Sequence, residues 1–241
     1  MSFEDEIIVL KEVQYKDYDK ILQCFSKKNG KIQVMARNAR RANNENMSVA
    51  QIMNHSIVNI YLNKDMYILT NGSVINHFYE LRNNFESYVY GNYILEILNH
   101  VLQENENYSK IFDMSVKILL MLVHHPDKMN YFIAAYEIKL ISILGYKPEL
   151  DSCSHCGGNE KAFLFSIEEG GIVCKKCTSQ QLGLSVSLED IAAIKSLIGT
   201  RFDDIKSLSH ISNRALYIIN AYFNHYVGKD NFKSLKLINN K

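Results

Sequence analysis

The sequence predicts an α+β protein, a small N-terminal β-barrel followed by an all-helical domain that carries a four-cysteine, ribbon-like insert. Three observations predict this. Short β-rich apolar runs crowd the first 80 or so residues with turn signals between them. The hydrophobic period then changes to that of a helix. Finally, four of the five cysteines fall in two pairs, Cys153-Ser154-His155-Cys156 and Cys174-Lys175-Lys176-Cys177, with 17 residues between them.

The barrel comes first. Glu6 to Val13 is a β-rich run, and Ile21 to Phe25 is the next. The turn signal Lys28-Asn29-Gly30-Lys31 follows, and Ile32 to Ala36 returns as a third strand. Ser56 to Leu62 and Met66 to Thr70 form a second hairpin across Asn63-Lys64-Asp65. Five strands without an intervening crossover helix predict a closed barrel of the OB type, here placed in residues 1–80. The remaining cysteine, Cys24, falls in the second strand as a small buried hydrophobe.

Residues 81–241 read as helical. Phe85, Tyr88, Val89, Asn92, Leu95, Leu98, Asn99 and Leu102 recur at helical spacing, and Ile111 to Val123 and Phe132 to Leu144 are two further amphipathic stretches. Gly145 stands at a helix C-terminus, with Pro148 three residues on. Ser187-Leu188-Glu189-Asp190 resembles a capping box that opens a helix ending at Gly199. Ser212 to Val227 is a last helix stopped by Gly228, and Lys229 to Lys241 is expected to be frayed or loosely packed.

The insert lies at about 150–180. Two residues between cysteines let both thiolates of a pair reach one ion, and two such pairs complete a tetrahedral sulfur shell. Ala162 to Ser166 and Gly171 to Val173 read as a hairpin with one pair at each end, a zinc-ribbon-like unit. Cys153, Cys156, Cys174 and Cys177 are therefore the candidate ligands of one structural zinc ion per chain. Disulfides are the alternative, and His155 is a passenger in its knuckle. A closed sulfur shell leaves no open position for catalysis.

The net charge of +1 hides an uneven distribution. From Lys20 to Asn44 there are seven basic residues and no Asp or Glu. Of these, Lys27, Lys28, Lys31, Arg37, Arg40 and Arg41 sit at turns or loop edges, where they are candidates to contact nucleic-acid phosphates. Tyr15, Tyr18, Phe25, Tyr61 and Tyr67 are interleaved with them and are candidates to stack bases, core packing being the alternative.

Most enzyme classes are disfavoured. The sequence holds no phosphate-binding loop of the G-x-x-x-x-G-K-[ST] kind, no G-x-G-x-x-G after a strand, no H-E-x-x-H and no Gly-framed serine. None of the eight histidines has Glu two residues on, as a zinc deaminase needs. No apolar run approaches a membrane span, and the acidic N-terminus lacks the features of a signal peptide, so a cytoplasmic, non-enzymatic protein without a membrane partner is expected.

Several stretches resemble the bacterial DNA repair family RecO. They are Val13 to Leu22, then Phe25-Ser26-Lys27-Lys28-Asn29-Gly30-Lys31-Ile32, then Ala36-Arg37-Asn38-Ala39-Arg40-Arg41. Ile138 to Tyr146 and Phe165 to Gly171 are also similar to that family. One departure is Asn38, where the family usually has glycine; Asn also tolerates positive φ. The resemblance implies a recombination mediator, nucleoid-associated, that binds single- and double-stranded DNA and anneals complementary strands. It also implies two partners, RecR and the acidic C-terminal tail of single-strand-binding protein, acting together in RecA loading. Two rival readings stand beside it: a zinc-ribbon module for RNA or the transcription machinery, and a carboxylate-dependent nuclease.

Overall fold

The computed structural model describes residues 2–159, 163–177, 183–208 and 210–239. The chain groups into two compact units, 1–124 with 232–241, and 125–231.

The first unit is built on five strands, β1 (Ser2–Tyr15), β2 (Asp19–Ser26), β3 (Gly30–Ala36), β4 (His55–Asn63) and β5 (Met66–Asn76). They close a barrel in the order β1-β2-β3-β5-β4, with β4 pairing back to β1 and β3 running parallel to β5. This is the OB arrangement that the strand count predicts. Closure depends on β1, whose 14 residues pair with β4 over the first half and β2 over the second. A bulge between Val9 and Lys11 bends the strand from one partner towards the other. Ile7, Val9, Leu22, Ile32, Val34, Val58 and Ile60 fill the interior, with Cys24 among them as a fully buried thiol whose pKa is pushed up by burial.

The β2–β3 turn is Lys27-Lys28-Asn29, and Gly30 opens β3 at φ +67°. A Cβ on Gly30 would lie 2.6 Å from the carbonyl oxygen of Gln103, so this close backbone approach admits only glycine. The same unit holds two long helices, α1 (Phe85–Val101) and α2 (Ser109–His124).

The second unit centres on α3 (Met129–Ile143), which is buried on nearly every side because α4 (Leu188–Gly199), α5 (Phe202–Ile205) and α6 (Asn213–Val227) all pack on it. It ends in a glycine cap of the expected kind. Gly145 sits at φ +100°, and the Tyr146 N–H reaches back to the Ile141 carbonyl at 2.9 Å. Between α3 and α4 lie β6 (Phe163–Ser166), β7 (Gly171–Cys174) and the two-residue β8 (Leu184–Ser185), joined in the order β7-β6-β8. Ala162, expected in the first ribbon strand, lies outside the described residues. The ribbon is tied to α6, where Phe165 meets Tyr222 edge-on at 5.4 Å and the Tyr226 hydroxyl donates to the Ile167 carbonyl at 3.0 Å.

One expectation fails. The C-terminal stretch is packed rather than frayed as far as it is described. Phe232 is buried with its ring edge-on to Tyr93 of α1 at 4.9 Å, and Glu96 accepts the N–H groups of Lys233 and Ser234. A short helix, α7 (Lys236–Asn239), follows, while residues 240–241 lie outside the description. A single aromatic in a polar tail carries no periodicity, so this anchor is not visible as a pattern.

Candidate nucleic-acid interface and metal centre

In the second unit the two knuckles meet. The sulfur atoms of Cys153, Cys156, Cys174 and Cys177 all lie within 4.8 Å of one another. Local backbone geometry places them. The Gly157 N–H bonds to the Cys153 carbonyl at 2.8 Å with Gly157 at φ +70°, which makes the first tight turn. The Cys177 N–H bonds to the Cys174 carbonyl at 3.0 Å, which makes the second. Gly171 lets the segment before the first knuckle lie against β7, because a Cβ there would meet the Glu149 carbonyl oxygen at 2.2 Å.

The donor set fits a tetrahedral metal. Zinc–sulfur bonds of about 2.3 Å imply sulfur–sulfur separations of about 3.8 Å. Cys156 and Cys174 stand 3.8 Å apart, far beyond the length of a disulfide, and all five cysteines are free thiols. Burial alone would raise the Cys153 pKa, but the N–H groups of Cys174, Cys156 and His155 outweigh it and hold the thiol at about 6. Cys177 goes the other way, pushed up to about 12 by its hydrogen bond with Cys156 and by burial. Crowded thiols resist ionising together, and a dication at their centre removes that conflict. The four cysteines can thus hold a metal ion. His155 is not one of the cluster, and its ring lies 3.5 Å from the Glu169 carboxylate.

In the first unit the basic run divides into two groups at opposite ends of β3, about 20 Å apart at strand rise. At one end, Lys27 pairs with Glu6 at 3.1 Å and Asp113 at 2.9 Å, and both contacts raise its pKa. Lys28 is exposed and donates to the Glu4 carbonyl at 2.5 Å. Lys31 donates to the Asn99 carbonyl at 3.2 Å. Beside this end an open groove of about 460 Å³ is lined by Lys31, Lys64 and Tyr67 and also by the carboxylates of Asp65 and Glu104. Lys20 is withdrawn from the surface altogether, buried against Glu12 at 2.8 Å.

At the other end, Arg37, Arg40 and Arg41 are exposed on the loop after β3. This loop is fastened to the β1–β2 turn, Lys16-Asp17-Tyr18. The Arg40 N–H bonds to the Tyr18 carbonyl at 3.0 Å, the Arg40 guanidinium to the Asp17 carbonyl at 2.9 Å, and the Asn38 N–H to the Asp19 carboxylate at 2.8 Å. Asn38 has φ +54°, so the asparagine does adopt the left-handed turn. Of the aromatic candidates, Phe25 is core, in edge contact with Phe112 at 5.1 Å, and Tyr67 is half-buried against Phe3. Tyr61 is also half-buried, while Tyr15 and Tyr18 are exposed.

A closed OB-type barrel with an exposed arginine loop stands in one chain with helices and a four-cysteine cluster that can hold a metal ion. Two family models match this chain. "Recombination protein O N terminal" covers residues 1–78, and "Recombination protein O C terminal" covers residues 82–236. The chain belongs to the RecO family, one of DNA repair and recombination. It is similar to the DNA repair protein RecO of Acetivibrio thermocellus, 31% identical over 83% of this chain and 80% of the relative. It is also similar to that of a Thermoanaerobacter species, 30% identical over 98% of this chain and 96% of the relative. The one from Syntrophomonas wolfei is 29% identical over 89% and 86%. No helix among the described residues is long and apolar enough to cross a membrane.

Proposed function

We propose that this chain is a non-enzymatic recombination mediator. Its barrel, residues 1–80, binds single- and double-stranded DNA, and the protein anneals complementary strands without nucleotide. With RecR and the acidic C-terminal tail of single-strand-binding protein it promotes RecA loading in the cytoplasm, at the nucleoid. The centre formed by Cys153, Cys156, Cys174 and Cys177 holds one structural zinc ion, which fastens the ribbon and takes no part in the chemistry on DNA.

The observation that carries this reading is the exposed Arg37, Arg40 and Arg41 loop on an OB-type barrel, in a chain of the RecO family. Two complementary strands repel through their phosphates, and cations that replace condensed counterions lower that barrier. Lys28 and Lys31 at the far end of β3 extend the path, so one strand can follow the barrel wall from the groove to the arginines.

The test is annealing of complementary oligonucleotides without ATP or added divalent metal. Naked strands and strands coated by single-strand-binding protein are compared, each with and without a peptide copying the acidic tail. Acceleration in both arms is expected, with the peptide inhibiting the coated reaction more. Failure to anneal naked strands at low salt rejects the mediator reading. Equal insensitivity of both arms to the peptide removes the tail as partner.

A further inference from the structure

Of the five aromatic candidates for base stacking, Phe25, Tyr61 and Tyr67 are buried or half-buried, and Tyr15 and Tyr18 are exposed. Tyr15 is 39% exposed and Tyr18 47% exposed. Both belong to one hairpin tip, where Tyr15 closes the β1–β2 ladder opposite Asp19 and Tyr18 stands in the turn between them. The Arg41 guanidinium lies over the Tyr18 ring, 4.3 Å from its centroid, and the Lys16 ammonium lies 5.3 Å from the Tyr15 centroid. With nearly half of Tyr18 still open to solvent, its ring is held in place by a cation on one side and remains accessible.

An exposed tyrosine in a turn ordinarily samples several rotamers. Here the turn is pinned by the three hydrogen bonds from the loop after β3, and the cation–π contact restrains the ring itself. Less ordering remains to be done when a flat ligand arrives. The cations around it, Lys16, Arg37, Arg40 and Arg41, outnumber the carboxylates of Asp17 and Asp19, and Asp19 is occupied by the Asn38 N–H, so the excess positive charge points to an anionic strand rather than to an apolar peptide.

We propose that Tyr18, with Tyr15 in the same hairpin tip, is a stacking platform for a base of single-stranded DNA, and that Arg41 braces the ring while Arg37 and Arg40 meet the flanking phosphates. This rests on the reading of the barrel as a DNA-binding unit. A platform of this kind favours single strands over a duplex, because bases in a duplex are already stacked on one another and offer no free face. It is also tolerant of sequence, since every base has a π-face.

The chain contains no tryptophan, so Tyr18→Trp places a single fluorescent reporter at the tip. Three probes are compared: an oligothymidine, an abasic oligonucleotide of equal phosphate number, and a duplex. Quenching by the oligothymidine but not by the abasic strand is expected. In the otherwise native chain, Tyr18→Ala should weaken oligothymidine binding by roughly tenfold and Tyr18→Phe should restore it, with affinity for the abasic strand and the duplex unchanged. Equal loss for all three probes would make Tyr18 a positioning residue for Arg41 and overturn the platform. Unchanged oligothymidine binding in Tyr18→Ala would overturn it too. A native protein that binds none of the probes at low salt overturns the DNA reading itself, and the platform with it.

Discussion

His55 shows how one side chain ties the barrel's polar groups to its helices. The ring is buried in edge contact with Phe112 of α2, its Nε2–H donates to Glu6 at 3.1 Å, and its Nδ1 accepts from the Asn76 amide at 3.0 Å. Burial favours the neutral ring and outweighs the pull of Glu6, so its pKa lies below the ordinary 6.5. Burial would raise the Glu6 pKa, but hydrogen bonds from Lys27 and His55 outweigh it and the net shift is below 4.5. As pH falls below 6.5, the unfolded imidazole takes a proton that the folded ring refuses, so stability drops through that window. The Glu6 contribution, present above 4.5, is lost next as pH falls through its folded value. The urea midpoint of the native protein should therefore begin to fall just below pH 6.5. In His55→Gln, which costs about 1–2 kcal/mol at neutral pH through lost ring packing, the fall should start only in the carboxylate range. Parallel pH profiles for the two proteins would exclude His55 as the cause.

At the scale of elements, one carboxylate links the caps of two helices. Asp190 completes the capping box of α4 with Ser187, and it also accepts a hydrogen bond from Ser212, the N-cap of α6. Burial raises its pKa, yet the Ser212 and Ser187 hydrogen bonds prevail and the net shift is downward. Asp190→Ala should cost about 2–3 kcal/mol, read as a lower urea midpoint of the helical unit, and Asp190→Asn less because one oxygen still accepts. A loss no larger than that of Ser187→Ala, about 1 kcal/mol, would mean that the link to α6 contributes nothing. The loop after β3 is the second element at issue. Each phosphate contact on single-stranded DNA adds about 0.7 to the salt slope. Reversing the charges of Arg37 and Arg40 together should thus reduce the slope by about 1.4 and weaken all sequences alike, since phosphate contacts carry no base information. An unchanged slope would move the interface to the Lys28 and Lys31 end of β3.

For the whole molecule, the two compact units should respond differently to loss of metal. The knuckles hold the ribbon, and the ribbon meets α6 through Phe165 and Tyr222. Structural zinc contributes apparent binding energies on the order of 10 kcal/mol in small finger peptides. Chelation, or Cys174→Ser, should strip amide-exchange protection from β6, β7 and α6 while β1 to β5 keep theirs. Protection of the ribbon unaffected by chelator would mean that the four thiols stabilise it without an ion. The first unit has its own closure. The chain passes through residues 125–231 and returns with Phe232 on Tyr93, so residues far apart in sequence complete one compact body.

Much of this protein is determined by sequence alone. Strict spacing placed Cys153, Cys156, Cys174 and Cys177, because a knuckle is a local object with local geometry. The five strands and the main helices were legible for the same reason, since the hydrophobic period reports which face is buried. The basic run was legible as composition but not as a surface. Charge counted along the chain ignores partners across a ladder, so the pairing of Lys27 with Glu6 and Asp113, and the burial of Lys20 against Glu12, belong to the tertiary structure. The same holds for the aromatics, as alternation does not tell that Phe25 packs on Phe112 while Tyr18 stays open under Arg41. Local chemistry is written in spacing and period, whereas neutralisation, exposure and the anchoring of a polar tail depend on which distant segments meet.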